Sequence, residues 1–410
     1  MPELFQVLTV AEALDRLLVH VTPLGRTEQV PLLDALDRVT AEELRAPSDL
    51  PAFQRSTMDG FAVRAADTYG ASEGLPAYLT VCGEVPMGRV AGLQVRPGDA
   101  ARVHTGGMLP DGADAVVMVE NTQALDDRMI EVVKPVAVGE NVIPIGEDVR
   151  AAEMLFPRGH WLRPQDLGGL AGVGITMVRV VARPRVAILA TGDEVVPADA
   201  EPAPGQVRDI NTYTVAALTR RSGSEPLPAG IAPDDIAALR RMASAVLAEA
   251  DVLIISAGSS VSTRDMTAQV IGELGQPGVL VHGVSIHPGK PTILAAADGK
   301  PVFGLPGNPV STMIAFDLFV APTLLRLLGC EQSKDGHTVQ ARLARNVASI
   351  SGREDFVPVR LDTRDGVLYA DPVFGKSNLI YTMAHADALL RVPLDLAGLY
   401  ANQTVTVRLF

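Results

Sequence analysis

The sequence predicts an α/β plus β protein of several domains. A doubly wound, mostly parallel α/β domain spans 181–330, and an elongated helical and linker domain is made of 1–50 and 146–180. A β-rich domain is inserted over 51–145, and a small β-barrel closes the chain over 331–410. Three observations carry this expectation. From Arg185 onward, short buried-strand runs alternate with helical segments, the pattern of βαβ units. Past about Glu331 the helical spacing stops and short alternating strands replace it. Between Pro51 and Ile145, short apolar runs alternate with Gly and Pro turns inside a region that is otherwise helical.

Taken in order, Thr9 and Glu12 form a T-x-x-E capping box, followed by Leu14, Leu17, Leu18 and Val21 at helical spacing. A second helix is expected around PLLDALDRVTAEEL. YLTVCGEV, ARVHTGG, AVVMVE and IEVVKPV are the strands of the insertion, and EMLFPRGHWLRPQDLGGLAGVGI returns to helix and turn. In the α/β domain VAILA, DVLIISAG and GVLVHGVSI are strands. NTYTVAALTRRSG, DDIAALRRMASAVLAEA and DMTAQVIGELG are helices, the second with Ile236, Leu239, Ala243, Val246 and Leu247 on one face. Asp298-Gly299 between TILAAA and PVFGL signals a hairpin, and STMIAFDLFVAPTLLRLLG is a long apolar helix. VQARLARNV, DFVPVRL, VLYADPV, ALLRVP and TVTVRLF are the strands of the last domain.

Composition narrows the function. Hydrophobic residues make up 47% and aromatics 4%, so the cores are built of Ala, Val, Leu and Ile. A net charge of −13 argues against non-specific nucleic-acid binding, which needs a basic field. Cys82 and Cys330 have no zinc-ligand spacing and make no disulfide framework. The N-terminus lacks a basic segment followed by an apolar one, and no uninterrupted apolar run reaches a membrane span. The expectation is a soluble cytoplasmic protein that engages neither nucleic acid nor membrane.

Ligands of open α/β sheets bind beyond the carboxyl ends of the strands. Four strand-end loops carry polar groups there: ATGDEV, SAGSSVSTRD, HPGKPT and GLPGNPVST. The second and fourth run into helices, whose first amides and hydroxyls suit phosphate or another tetrahedral oxyanion. Plain capping by Ser, Thr and Asp would put the same residues at either place. Lys290, fenced by Pro288, Gly289 and Pro291, has a fixed backbone from which its ammonium can be aimed at an anion. Asp193, Glu194, Asp209 and Asp265 gather at the same edge and suggest Mg²⁺ shared with a substrate phosphate, although Asp209 before Asn211 could equally cap the next helix. RSTMDGFAV and HTGGMLPDGADAVVMVE are Gly-containing turns without the Gly-Lys-Ser/Thr ending of a P-loop. Nothing around His287 forms a Ser-His-Asp or metal-ligand pattern.

In order, STMDGFA, TGGMLPDGADAVV, ATGDEV, GQVRDINTYT, SAGSSVSTRDMT, HPGKPT and LPGNPVST make a series that resembles the molybdopterin molybdenumtransferases, the MoeA and gephyrin E-domain family. The resemblance runs from about residue 5 to the C-terminus and implies a molybdopterin-binding type of α/β domain. It implies insertion of molybdate-derived metal into adenylylated molybdopterin, with Mg²⁺, giving molybdenum cofactor and AMP. It also implies an elongated homodimer whose cleft lies between the α/β domain of one subunit and parts of the other. An adenylyltransferase upstream and recipient molybdoenzymes downstream are the partners it implies. Carried over by motif, Asp59, Thr105, Glu194, Asp234, Asp265 and Lys290 match catalytic positions. Ser259, Ser260, Ser262, His287, Pro291, Asn308, Ser311, Arg353 and Ser377 match the substrate-binding region, with Arg353 and Ser377 as the Arg and Ser that approach molybdate. Asp265 and Asp209 would hold Mg²⁺.

This chain departs from the family's pattern where His287 replaces the first lysine of Lys-Pro-Gly-Lys, where Gly283 replaces a basic residue, and where AGSSVS replaces Gly-Gly-Val-Ser-Val-Gly. Fewer cations would weaken molybdate binding or alter the choice between molybdate and tungstate. If His287 must be protonated, affinity for molybdate falls as pH rises through the imidazole range, and a flat affinity in both the wild type and His287→Gln removes that idea. Two other functions compete with metal insertion. A molybdopterin adenylyltransferase would share the α/β domain but not the flanking regions, and would release pyrophosphate from ATP without molybdate. A scaffold would tolerate Asp265→Asn without loss of cofactor maturation.

Overall fold

The computed structural model describes residues 8–256, 261–330 and 337–410, without the side chains of 261–264. The α/β domain is built on a six-stranded sheet. Its elements are β1 (Arg185–Thr191), α1 (Asn211–Arg221), β2 (Glu225–Ala232), α2 (Ile236–Glu249), β3 (Val252–Ser256), α3 (Val261–Glu273), β4 (Pro277–His282), β5 (Ile293–Ala297), β6 (Lys300–Leu305) and α4 (Pro309–Leu327). The sheet order is β2-β1-β3-β6-β5-β4. The first four strands are parallel, and β5 is antiparallel to both its neighbours. β3 is buried along its whole length and β1 from Val186 onward, as strands covered on both faces must be. One core layer gathers Val186, Ile188, Ile254 and Phe303, and the other Ala187, Leu189, Leu253 and Ile255, which is the alternation of a strand sandwiched between helices. The hairpin forms as its sequence requires: Ala297 pairs Lys300 across Asp298 and Gly299, both at positive φ.

α4 is long and apolar enough to cross a membrane, yet 61% of its apolar window is buried inside the domain, the mark of a core helix. Phe316–Val320 within it is a π turn. Pro322, which lacks an amide and crowds the carbonyl four residues back, accounts for that local loosening.

The segments flanking the insertion pair across it. Thr27–Pro31 bonds to Met177–Val181, Leu44–Arg45 to Met154–Phe156, and Leu50 to Val149. Two expectations fail in this region. PLLDALDRVTAEEL is not a helix: only Leu32–Ala35 makes a 3-10 turn, Asp37 takes a positive φ, and Leu44–Arg45 is a strand. Its apolar spacing served a different burial, since Leu32, Ala35 and Leu44 pack on Leu162, Leu170 and Val180. The helix Val10–Leu18 does cap as expected, with the Thr9 and Glu12 exchange, but it belongs physically to the α/β domain. Ala13, Leu17 and Val21 enter the core of β4, β5 and α4, and Leu8 bridges to Val284.

The insertion is a six-stranded sheet in the order 115–118, 60–63, 99–103, 77–84, 129–132, 122–124. The C-terminal domain is a closed barrel. Glu354–Arg364 pairs Val367–Pro372, then Thr338–Leu343, Thr404–Leu409 and Ala388–Val392 follow, and the last returns to Glu354–Arg364. Closure leaves no free sheet edge. The start of Glu354–Arg364 also takes on Ile286–His287 of the α/β domain as a parallel partner, Ile286 to Glu354 and His287 to Asp355.

Candidate functional site

The sheet brings the expected loops to one rim. Thr191, Ala232, Ser256 and Leu305 end their strands in one row, linked by the pairs Thr191 to Ala232, Ala190 to Ser256 and Ser256 to Leu305. Beyond them lie, in sheet order, Asp234, Glu194, the helix carrying Asp265, the Asn308–Ser311 turn, and the β4–β5 connection with His287, Lys290 and Pro291. Neighbouring strands stand about 4.8 Å apart, so β1 and β5, three intervals apart, are separated by about 15 Å. The loops carrying Glu194 and Lys290 thus leave the sheet from well-separated strands. Together they suit an extended ligand.

Lys290 is held as its sequence suggests. Its carbonyl accepts the Val284 amide at 2.9 Å, and Gly289 has φ +118°, with an added Cβ only 2.9 Å from Ile286 Cδ1. The side chain is exposed, and its ammonium makes no hydrogen bond or ion pair among the described residues. Glu194 folds back over Gly192, where an added Cβ would lie 2.6 Å from Glu194 Oε2. Asp193 Oδ1 accepts the Asp234 amide at 3.0 Å and ties the loops after β1 and β2 together. Asp235, not Asp234, caps α2, through the Ala238 amide at 2.7 Å.

The oxyanion turn differs from expectation. The amides near Ser311 are not all open: the Ser377 carbonyl accepts the Val310 amide at 3.1 Å, and Thr312 donates within the helix to Asn308. Asn308 Nδ2 donates to Ser377 Oγ at 2.9 Å, and Ser311 is only 3% exposed. Gly307 keeps an ordinary φ, and its carbonyl accepts from Asn211. The helix start is thus seated against the barrel's 375–379 turn, joining residues 69 positions apart. Arg353 also has a partner. It lies 2.9 Å from buried Asp355, whose same oxygen is 3.5 Å from His287 Nδ1. That carboxylate faces both side chains expected to meet an anion.

α3 begins at Val261, a full turn before Asp265. Asp265 is exposed on it. Ser259 and Ser260 lie outside the described residues, as does the side chain of Ser262. Asp209 Oδ1 takes the Thr212 amide at 3.0 Å, so the capping alternative holds for that oxygen. Among the described residues no three Asp, Glu, His or Cys side chains cluster as a preformed metal set. The two carboxylates expected to hold Mg²⁺ thus differ: Asp209 is largely buried and already accepts an amide, while Asp265 is exposed. Beside Asp209 a cavity of about 800 Å³ opens between α1, β2 and the 192–198 loop, lined by Asp193, Thr212, Tyr213 and Arg220 among others.

Asn211 was missed. It is buried, and Nδ2 bridges Ser256 Oγ at 2.9 Å and the Gly307 carbonyl at 2.8 Å, stapling the ends of β3 and β6. Nothing in the stretch DINTYT distinguishes such a staple from a helix-start residue.

Asp59 and Thr105 are not on this rim. They meet in the inserted domain, where Asp59 Oδ1 accepts from the Thr105 amide at 2.8 Å and its hydroxyl at 3.3 Å. The Thr105 amide, partly opposed by desolvation, holds the Asp59 carboxyl below its ordinary range. Gly60 must follow, since a Cβ there would stand 2.0 Å from the Val117 carbonyl oxygen. The insertion's hydrophobic clusters share no residue with those of the α/β domain.

The fold and rim define a multidomain protein of the molybdopterin-binding α/β class. Residues 8–174 match the MoeA N-terminal region (domains I and II), 187–326 a probable molybdopterin binding domain, and 340–410 the MoeA C-terminal region (domain IV). A putative molybdopterin biosynthesis protein of Methanocaldococcus jannaschii is 35% identical, covering 94% of this chain and 92% of its own. A molybdopterin molybdenumtransferase of Bacillus subtilis is 33% identical, covering 96% and 92%. A crystal structure of a molybdopterin biosynthesis MoeA protein from Pyrococcus horikoshii superposes with a TM-score of 0.86 at 32% identity, covering 99% of this chain and all of that one. The chain belongs to the molybdopterin molybdenumtransferase (MoeA) family.

Proposed function

We infer that this protein inserts molybdenum into molybdopterin to form molybdenum cofactor, a transferase reaction. The observation that carries the reading is the single rim on which a pinned Lys290, without a partner among the described residues, and the carboxylates after β1 and β2 and on α3 are spaced along the sheet. We further propose that the substrate arrives adenylylated and that molybdate is the metal donor. An elongated, pyrophosphate-linked ligand suits a rim whose β1 and β5 ends stand about 15 Å apart. Lys290 would meet the anionic end, while the Glu194 and Asp209 side of the rim would hold the other end beside the cavity. Mg²⁺ would be held by Asp209 and Asp265, and when bound it would neutralise charge on the departing phosphate.

The proposal includes a cytoplasmic homodimer in which the Asp59 and Thr105 turn of one copy completes the rim of the other. An adenylyltransferase would supply the substrate and molybdoenzymes would receive the product. The test is AMP release from adenylylated molybdopterin under anaerobic conditions, with molybdate, tungstate or neither. Release that depends on molybdate supports the reading. Pyrophosphate release from ATP and molybdopterin without molybdate would replace it with the adenylyltransferase.

A further inference from the structure

The turn that holds Asp59 contains a third ionisable partner. His104 follows the strand Asp99–Val103, which lies between Gly60–Val63 and Ala77–Glu84 in the sheet. Each flanking strand presents a carboxylate to the ring. Nε2 lies 2.8 Å from Glu84 Oε1, and Nδ1 lies 3.7 Å from Asp59 Oδ1. The other charged group acting on both carboxylates is Arg102, on the same central strand.

The geometry settles which nitrogen carries the first proton. An ionised Glu84 only accepts, so Nε2 donates to it. In the neutral ring Nδ1 then bears a lone pair facing the Asp59 oxygen, an unfavourable contact. With the second proton, Nδ1 becomes a positive donor facing that oxygen. Asp59 Oδ1 would then be gathered from three directions, by the Thr105 amide, the Thr105 hydroxyl and the imidazolium.

We propose that His104 is a positioning residue for the insertion reaction: protonated, it tightens the hold of the Thr105 turn on the Asp59 carboxylate, and deprotonated, it loosens that hold. This rests on Asp59 serving the reaction proposed above. When the ring gives up its second proton that added hold is lost, and the two Thr105 bonds alone retain the carboxylate.

Two measurements test this. In protein labelled with carbon-13 at aspartate carboxyls, with Asp59 assigned through Asp59→Asn, the Asp59 signal should step with pH across the imidazole range in the wild type. It should show no such step in His104→Gln. A wild type without that step, or an unchanged step in the variant, overturns the proposal irrespective of any activity. In the molybdenum-insertion assay, His104→Gln should run about two- to fivefold slower than wild type at the acid end of the profile and match it at the alkaline end. The thermal midpoints of the two should coincide, because both carboxylates are exposed and the ring is only partly buried. Superimposable profiles in an active enzyme overturn the positioning role. A carboxyl step without any insertion by the wild type would sustain the His104–Asp59 hold and sink the functional reading instead.

Discussion

The α/β rim and the Asp59 turn are built on opposite principles. Asp59 is held by Thr105, His104 and the neighbouring strands of one small sheet, all within its own domain. Lys290 stands on a loop whose preceding residue pair, Ile286–His287, is a rung of the barrel, and the neighbouring Asn308 turn is seated on Ser377 of that barrel. The turn is local and self-sufficient. The rim is a joint product of two domains, whereas the turn is made within one.

The largest expected effect comes from removing the rim's cation. Lys290→Ala should lower turnover by about 10²- to 10³-fold, the usual consequence of deleting a preorganised charge from a reaction site. Because the ammonium is exposed, the thermal midpoint should stay put, and a matching drop in stability would show that Lys290 supports the fold. Next is the unit that carries the insertion. Asp166, 3% exposed, receives Arg163 at 2.9 Å and His160 at 2.8 Å. Burial opposes its charge and is outweighed by those hydrogen bonds and the Arg163 amide, which hold the carboxyl at about 2. A depressed carboxyl contributes stability above its unfolded value and loses it as pH falls through the folded one. Denaturant titrations should therefore show about 2 kcal/mol disappearing between about pH 4 and pH 2, and Asp166→Asn should lack that loss.

Gly289→Ala should cost about 1–2 kcal/mol, since its φ and its contact with Ile286 both refuse a side chain, and should reduce insertion by displacing Lys290. Smallest is Ser377→Ala, which removes one hydroxyl from Asn308 but keeps the carbonyl on Val310. About 1 kcal/mol in urea unfolding, with a modest change in turnover, is expected. An effect on turnover as large as that of Lys290→Ala would assign Ser377 a direct part in the chemistry.

The strands and hairpin of the α/β domain were legible because buried parallel strands and Asp-Gly turns are local signals. The convergence of the loops followed from topology. Three things were not legible. The 31–44 segment has helical apolar spacing but spends it on contacts with 162–180, a tertiary choice that outranks propensity. The occupied helix start at Val310 depends on a turn 67 residues downstream in sequence. Asp355, which draws Arg353 and His287 together, becomes their neighbour only when the barrel strand lies alongside Ile286–His287.

That strand-to-loop rung has a mechanical consequence. A barrel without loose edges rocks as a stiff block, and the backbone beside the cation is bonded to its rim. Were the block to tilt, the backbone just before Lys290 would be carried with it, and a molecule wedging the barrel would shift the site while touching none of its reactive groups.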